Sequence, residues 1–248
     1  MLFRSLLATF DEYLQLRDLY FPFIGEEDHT TYDHKHRVGF FVEGRGFSWL
    51  DDGNWDALPQ YAADTLVGTS RLINRKLGIS IEAGDFVHPV KDILMRHFLI
   101  RAIEDEEIHL KIYFNHDLHI YGEKQKDTAF YEPSTNSVIH YRKKRHFLIG
   151  GKAGGQGITS YTTGKSEFRE LEGTWRDAED GHLSRHTIEQ GSVDSTVELQ
   201  CTACQTCEEH VWLWLCASKT MRDPDPSDRD YNPLKQPLLY LTFQGSSQ

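Results

Sequence analysis

Cysteine, histidine and paired carboxylates are the residue types in this chain that could do chemistry, and their spacing decides how much. Cys201-x-x-Cys204-x-x-Cys207, with Cys216 beyond, has the thiol spacing of iron–sulfur ligation, and four cysteines could hold zinc. A zinc site normally pairs two short chelating turns, and here there is one. Only Cys216 sits in an apolar run, beside Trp212, Trp214 and Leu215. The set therefore reads as a hairpin turn that contains thiols, plus one core cysteine. Histidine gathers at His29, His34 and His36 and again in Asn115-His116-Asp117-Leu118-His119. On an extended chain His34 and His36 share a face, as do Asp117 and His119, but His116 and His119 point apart, which spoils a simple chelate. Satisfied histidines in hydrogen-bonded turns are the expectation, with no metal and no cofactor.

Carboxylates give no clearer catalytic set. Glycoside hydrolysis needs two acids facing one another across a sugar, about 5–10 Å apart. Glu179 and Asp180 are adjacent and diverge on an extended loop. No nucleophile elbow, P-loop or dinucleotide fingerprint is present. The stretch around these acids is nevertheless unlike the rest of the chain. Residues 164–181, running on to 190–196, set Trp175 among Arg176, Asp177, Glu179 and Asp180 and close on Gly181. Such loops ride on rigid scaffolds and carry their contacts. Gly173 and Gly181 permit tight turns. Arg176 can fork a carboxylate, either on a partner or internally on Asp177 or Asp180. The plainer alternative is an acidic surface loop with a tryptophan beneath it.

Short strands must position these residues. Residues 37–42 and 47–50 flank Glu43-Gly44-Arg45-Gly46, a glycine-bearing turn. Residues 65–73 and 77–86 form a second pair, in which Leu77, Ile79 and Ile81 alternate with Gly78, Ser80 and Glu82. Further hairpins are expected for 93–103 with 108–121, 138–141 with 146–149, and 193–199 with 210–217. The charged tips Glu104-Asp105-Glu106-Glu107 and Arg142-Lys143-Lys144-Arg145 read as solvated turns. Residues 6–10 begin the strands, and 58–66 could form a short helix. The whole reads as an all-β, large antiparallel sandwich. Residues 222–248 read as a Pro-rich, charged linker and an irregular C-terminal tail. Met1-Leu2-Phe3-Arg4-Ser5 matches one frame of a sequencing-adapter end, so residues 1–5 are expected not to be native.

The totals bound the function. The chain has 248 residues, 39% hydrophobic and 26% charged, enough for a real core. A net charge of −11 disfavours a phosphate backbone as partner, so no nucleic acid is expected. No apolar run reaches the roughly 20 residues of a membrane helix. No secretion signal is visible, so a cytoplasmic location is expected.

Several motifs fall in one order: residues 17–25 with Asp28-His29, then Arg37-Val38-Gly39, Phe47-Ser48-Trp49-Leu50, Val87-His88-Pro89, residues 115–122, Asp127-Thr128-Ala129 and residues 172–181. Together, over about residues 6–221, they resemble the N-terminal domain of bacterial and archaeal glucoamylase-like proteins of glycoside hydrolase family 15. The resemblance implies a galactose-mutarotase-like super-β-sandwich. It also implies a partner, a helical (α/α) barrel that carries the two catalytic glutamates and acts on α-glucosides. Nothing in residues 222–248 corresponds to that barrel. A truncated, non-catalytic accessory domain is therefore expected, with Tyr20, His29, Trp175, Arg176, Asp177, Glu179 and Asp180 on the side facing the barrel or substrate. The alternative is a stand-alone module that holds an α-glucan through Trp49, Trp55 or Trp175. On the cysteine spacing, elemental analysis of protein purified without chelator should find substoichiometric zinc and iron. A stoichiometric metal whose removal unfolds the chain would contradict that reading.

Overall fold

Alternating apolar residues give each strand one face to bury, and the computed structural model stacks those faces as two sheets. It describes residues 5–31, 35–61, 67–123, 125–168 and 171–219. In chain order, β1 (Leu7–Phe10) and β2 (Leu16–Tyr20) form a two-stranded ribbon. There follow β3 (Val38–Val42), β4 (Gly46–Trp49), β5 (Asp56–Tyr61), β6 (Gly68–Asn74), β7 (Ile79–Val87), β8 (Ile93–Ala102), β9 (Ile108–His116), β10 (Asp127–Glu132), β11 (Ser137–Arg142) and β12 (Arg145–Lys152). The last strands are β13 (Ser160–Phe168), β14 (Leu171–Glu172), β15 (Ile188–Gly191), β16 (Val193–Ala203) and β17 (Glu209–Ser218). One sheet has nine strands in the order β15-β10-β11-β12-β17-β8-β7-β6-β5; the other has six, β14-β13-β16-β9-β3-β4. Every pairing within them is antiparallel, and the all-β sandwich read from the sequence is the fold observed.

Aromatic side chains join the two layers. Phe98 of β8 meets Phe114 of β9 at 5.4 Å and Phe40 of β3 at 6.5 Å between ring centroids. Ile79, Ile81, Ile112, Phe147 and Leu199 complete a core that excludes water. The buried arginine Arg96 is paired. Arg96 donates to Asp85 at 2.7 Å and to the carbonyl of Leu14 at 2.7 Å, so the ribbon β1–β2 is tied to the nine-stranded sheet. A buried ion pair of this kind fixes geometry more than it adds stability.

Several expectations change on folding. β8 and β9 do not form a hairpin, and neither do β16 and β17; each pair splits between the two sheets. Their loops are crossovers at the rim, which a charged or cysteine-bearing tip cannot distinguish from a hairpin. The tip at Arg142 and Arg145 is not simply solvated. Both arginines are buried, because β11 and β12 turn them inward, where Arg145 pairs with Glu27 and Arg142 with Glu123. Residues 56–61 are strand β5 rather than the start of a helix, since β6 offers an edge to pair with. The rest of that stretch, 62–66, lies outside the described residues, as do residues 1–4, His34 and the tail 222–248. Ser160 to Phe168 is strand rather than loop.

Close packing of β3 on β4 generates a test. Gly39 stands opposite Trp49. A Cβ there would come within 2.5 Å of the Phe47 ring and 2.7 Å of the Trp49 ring. Gly39→Ala should cost about 1–3 kcal/mol of stability through overpacking. Chemical denaturation checks it, and an unchanged midpoint would contradict the packing.

Candidate functional site

Residues 173–181 lie on the outer face of the six-stranded sheet. The chain turns at Gly173, with φ of 93°, forms a 3-10 turn over Thr174–Asp180, and stops at Gly181 in the left-handed region. Ala178 is fully buried. The Trp175 ring meets Trp49 edge-on at 6.3 Å and lies 4.2 Å from the Arg37 guanidinium. Trp49 donates its indole N–H to Glu179 at 3.0 Å. An aromatic cluster of Trp49, Tyr113, Phe41 and Phe47 forms the floor.

A polar network anchors the turn from below. Asp194 of β16 is 1% exposed. Its Oδ2 accepts from the Thr174 backbone N–H at 2.7 Å, the Thr174 hydroxyl at 2.8 Å and the Asn115 amide at 3.0 Å. Burial raises its pKa to about 7; the charge of Asp117 adds to that rise, and the donors from Thr174 and Asn115 oppose it. Four residues on, on the same side of β16, Glu198 accepts from the Tyr113 hydroxyl at 2.9 Å, the Thr159 hydroxyl at 2.9 Å and the Gln200 amide at 2.7 Å. Burial, and then the Glu198 charge, push the Tyr113 phenol well above its ordinary value.

The residues singled out from the sequence fall into two neighbourhoods. Trp175, Arg176, Asp177, Glu179 and Asp180 share the one turn. Arg176, Glu179 and Asp180 are exposed, and the Arg176 guanidinium lies 5.3 Å from the Trp175 ring. Asp177 accepts from the Ser184 N–H at 2.8 Å and Asp180 from the His182 N–H at 2.9 Å, so both brace their own loop. Tyr20 ends β2 and bridges to Asp28; the charge of Asp28 first, then burial, raises its phenol. His29 is fully buried. Its Nδ1 accepts from the Tyr121 N–H at 3.1 Å while its Nε2 bonds the Phe21 carbonyl, and desolvation lowers its pKa. Both neighbourhoods reach the same end of β9, where Thr174 meets Asn115 and His29 meets His119.

Trp49 is buried, and Trp55 and Trp175 are half-buried, so the three tryptophans named for a glucan are packed against protein rather than displayed. The histidines are core residues more than turn residues. His140 bonds the Ser195 hydroxyl at 2.7 Å inside the sandwich, and the His36 and His116 rings meet edge-on at 6.1 Å. Desolvation holds His140 at about 4 and His116 well below its ordinary value. Among the cysteines, Cys204 and Cys207 form a disulfide, Cys201 is the buried one and Cys216 is half-buried. Strand parity explains the exchange, since β16 turns Cys201 inward and β17 turns Cys216 to the outer face. Among the described residues no group of three or more His, Cys, Asp or Glu could hold a metal ion.

Sequence reasoning missed Asp194, Glu198, Thr174 and Tyr113. A signal was present: Asp194, Thr196, Glu198 and Gln200 recur at period two in β16. That pattern reads as a face turned to water, and only the covering turn makes it a buried network.

In fold the chain is similar to a bacterial glucoamylase crystallised with acarbose, with a TM-score of 0.65 and 13% identity over 88% of this chain and 31% of that one. A polysaccharide lyase gives a TM-score of 0.51 at 10% identity, over 87% of this chain and 32% of the other. The sandwich is thus glucoamylase-like in fold. In sequence, the chain is 25% identical over 193 residues to an uncharacterized glycosyl hydrolase of Methanocaldococcus jannaschii. That match takes in 75% of this chain but spans only 28% of the relative. No protein-family model matches the chain.

The sign of the Asp194 shift makes a pH test. Its folded pKa, about 7, lies above its ordinary 3.8, so the folded chain takes up this proton first and gains stability as pH falls from 7 toward 3.8. His116 and His140 act oppositely. Their folded values lie below 6.5, so stability is lost as pH falls below 6.5, for His140 down to about 4. Asparagine mimics the neutral acid. Asp194→Asn should therefore exceed the parent by about 2–4 kcal/mol at pH 8, converge with it only toward pH 4, and show a steeper acid limb. Thermal melts across pH check this, and a less stable variant at pH 8 would contradict it.

Proposed function

We propose that this chain is the N-terminal accessory sandwich of a glycoside hydrolase of family 15. Its role is to fold beside, and pack against, a helical (α/α) barrel that acts on α-glucosides such as starch-derived oligosaccharides or trehalose. The observation that carries this reading is the unequal coverage. Both similarities take in at least three quarters of this chain and less than a third of the longer protein.

The carboxylates fit a supporting role. Asp194 and Glu198 sit beneath the covering turn and are held by internal donors. Glu179 and Asp180 point to different partners, the Trp49 indole and the His182 backbone. An acid and a base flanking one glycosidic bond need a shared open cleft, and these four do not make one. What the turn does offer outward is charge, from Arg176, Glu179 and Asp180 beside the half-buried Trp175. This suits a polar domain interface, where an arginine can fork a partner carboxylate.

The test has two parts. Purified chain should release no glucose from maltose, maltodextrin or trehalose above a heat-killed control; turnover would overturn the accessory reading. Arg176→Ala should leave the melting temperature of this chain within about 1–2 °C, since an exposed side chain contributes little. The matching substitution in an intact relative should lower its activity. A large loss of stability here would instead make the turn a brace for its own sheet.

A further inference from the structure

Residues 173–184 cover only part of the outer face of the six-stranded sheet. Beside them the face opens into a groove of ≈ 720 Å³, bounded by Gly181 and His182 on one side and by Gly154 and Gln156 on the other. That volume lies within the range of about 300–1,000 Å³ seen for small-molecule sites. β9 and β16 form its floor, with Lys111 opposite Gln200 and His109 opposite Thr202. Phe41 of β3 supplies an apolar wall.

An ordinary wet sheet face carries mobile side chains. Here they are held, two of them by buried Glu198. Its side chain is 3% exposed. It accepts the Gln200 amide N–H at 2.7 Å, which turns the amide oxygen of Gln200 away from it as the groove-side acceptor. Lys111 lies 4.0 Å from Glu198 and donates to the Gly181 carbonyl at 2.6 Å, so its ammonium is fixed over the floor. It also sits 5.8 Å from the centre of the Phe41 ring. His109 is tied through Nδ1 to the Thr202 hydroxyl at 3.0 Å, leaving Nε2 as its outward nitrogen. Donors and acceptors are thus held on rigid strands next to one aromatic wall, the arrangement that preorganises a binding site.

The chemistry selects the ligand class. Glu43 and Glu209 also line the groove, which disfavours phosphate and other anions. A sugar ring has an apolar C–H face for Phe41 and hydroxyls that both donate and accept, matching Lys111, Gln200 and His109. We propose that this groove binds a neutral oligosaccharide. If the accessory reading above holds, on which this choice of sugar rests, the oligosaccharide is a short α-glucan.

The experiment is a titration of the full chain with maltotriose and, separately, cellotriose, followed by backbone amide resonances. Maltotriose should saturably shift residues 109–111 and 200–202 with a dissociation constant of about 1 mM or tighter. Gln200→Ala and His109→Ala, both at exposed positions, should each weaken binding about tenfold with the melting temperature unchanged. Thr187→Ala, outside the groove, should leave binding as it is. If neither sugar shifts these strands, or if binding ignores both groove variants, the proposal is overturned; the accessory reading then stands or falls on glucose release. If cellotriose binds there and maltotriose does not, the groove is a saccharide site and the α-glucoside reading fails.

Discussion

Asp194 is the point on which the outer half of this molecule depends. A carboxylate taken out of water must be met by donors or stay neutral. Here the donors are the backbone and hydroxyl of Thr174 and the amide of Asn115. Because two of the three belong to Thr174, satisfying the acid also docks the whole 3-10 turn. Trp175 is then carried onto Trp49, and Glu179 onto the Trp49 indole. Gly164 and Gly173 keep the approach open, since a Cβ at Gly173 would fall 2.8 Å from Asp194 and one at Gly164 would strike Thr174 at 2.6 Å. One ionisable group thus sets where a loop of mostly polar residues comes to rest.

The same requirement organises the interior between the sheets. A sandwich of this size brings His36, His116 and His140 into the core, and desolvation keeps His116 and His140 uncharged. The arginines that enter do so with acids, as Arg96 does with Asp85 and Arg142 with Asp127 and Glu123. Such pairs add little net stability, but removing one partner leaves an uncompensated charge. They fix how the ribbon β1–β2 and the 3-10 turn at Ile120–Gly122 sit on the nine-stranded sheet, through the Leu14 and Ile120 carbonyls.

Covering the sheet at one place and leaving it open at another divides the outer face into two kinds of surface. Under the turn, polar residues of β9 and β16 are sequestered and serve folding. Beyond it, the same strands present Lys111, Gln200 and His109 to solvent, the first two held by Glu198 and the third by Thr202. Scaffold and groove therefore share a strand. The likeness to a glucoamylase and to a polysaccharide lyase, at 13% and 10% identity, is a likeness of fold.

Periodicity made the strands legible. Leu77, Ile79 and Ile81 alternate with smaller or polar residues and are buried as that alternation requires, and the glycine-bearing turn between β3 and β4 closes the expected hairpin. The acidic, tryptophan-centred turn was legible too, because its composition departs from that of every strand around it. Which strands share a sheet was not: β8 with β9, and β16 with β17, are each sequence neighbours joined by a short polar loop, yet the sheets take them apart. Local sequence sets which face of a strand is apolar, whereas pairing is settled by which partners complete both layers at once. The buried carboxylates stayed hidden for the same reason. Asp194 and Glu198 occupy positions that a lone strand would offer to water, and only the return of a distant segment across them turned solvent-facing acids into the centre of a desolvated network.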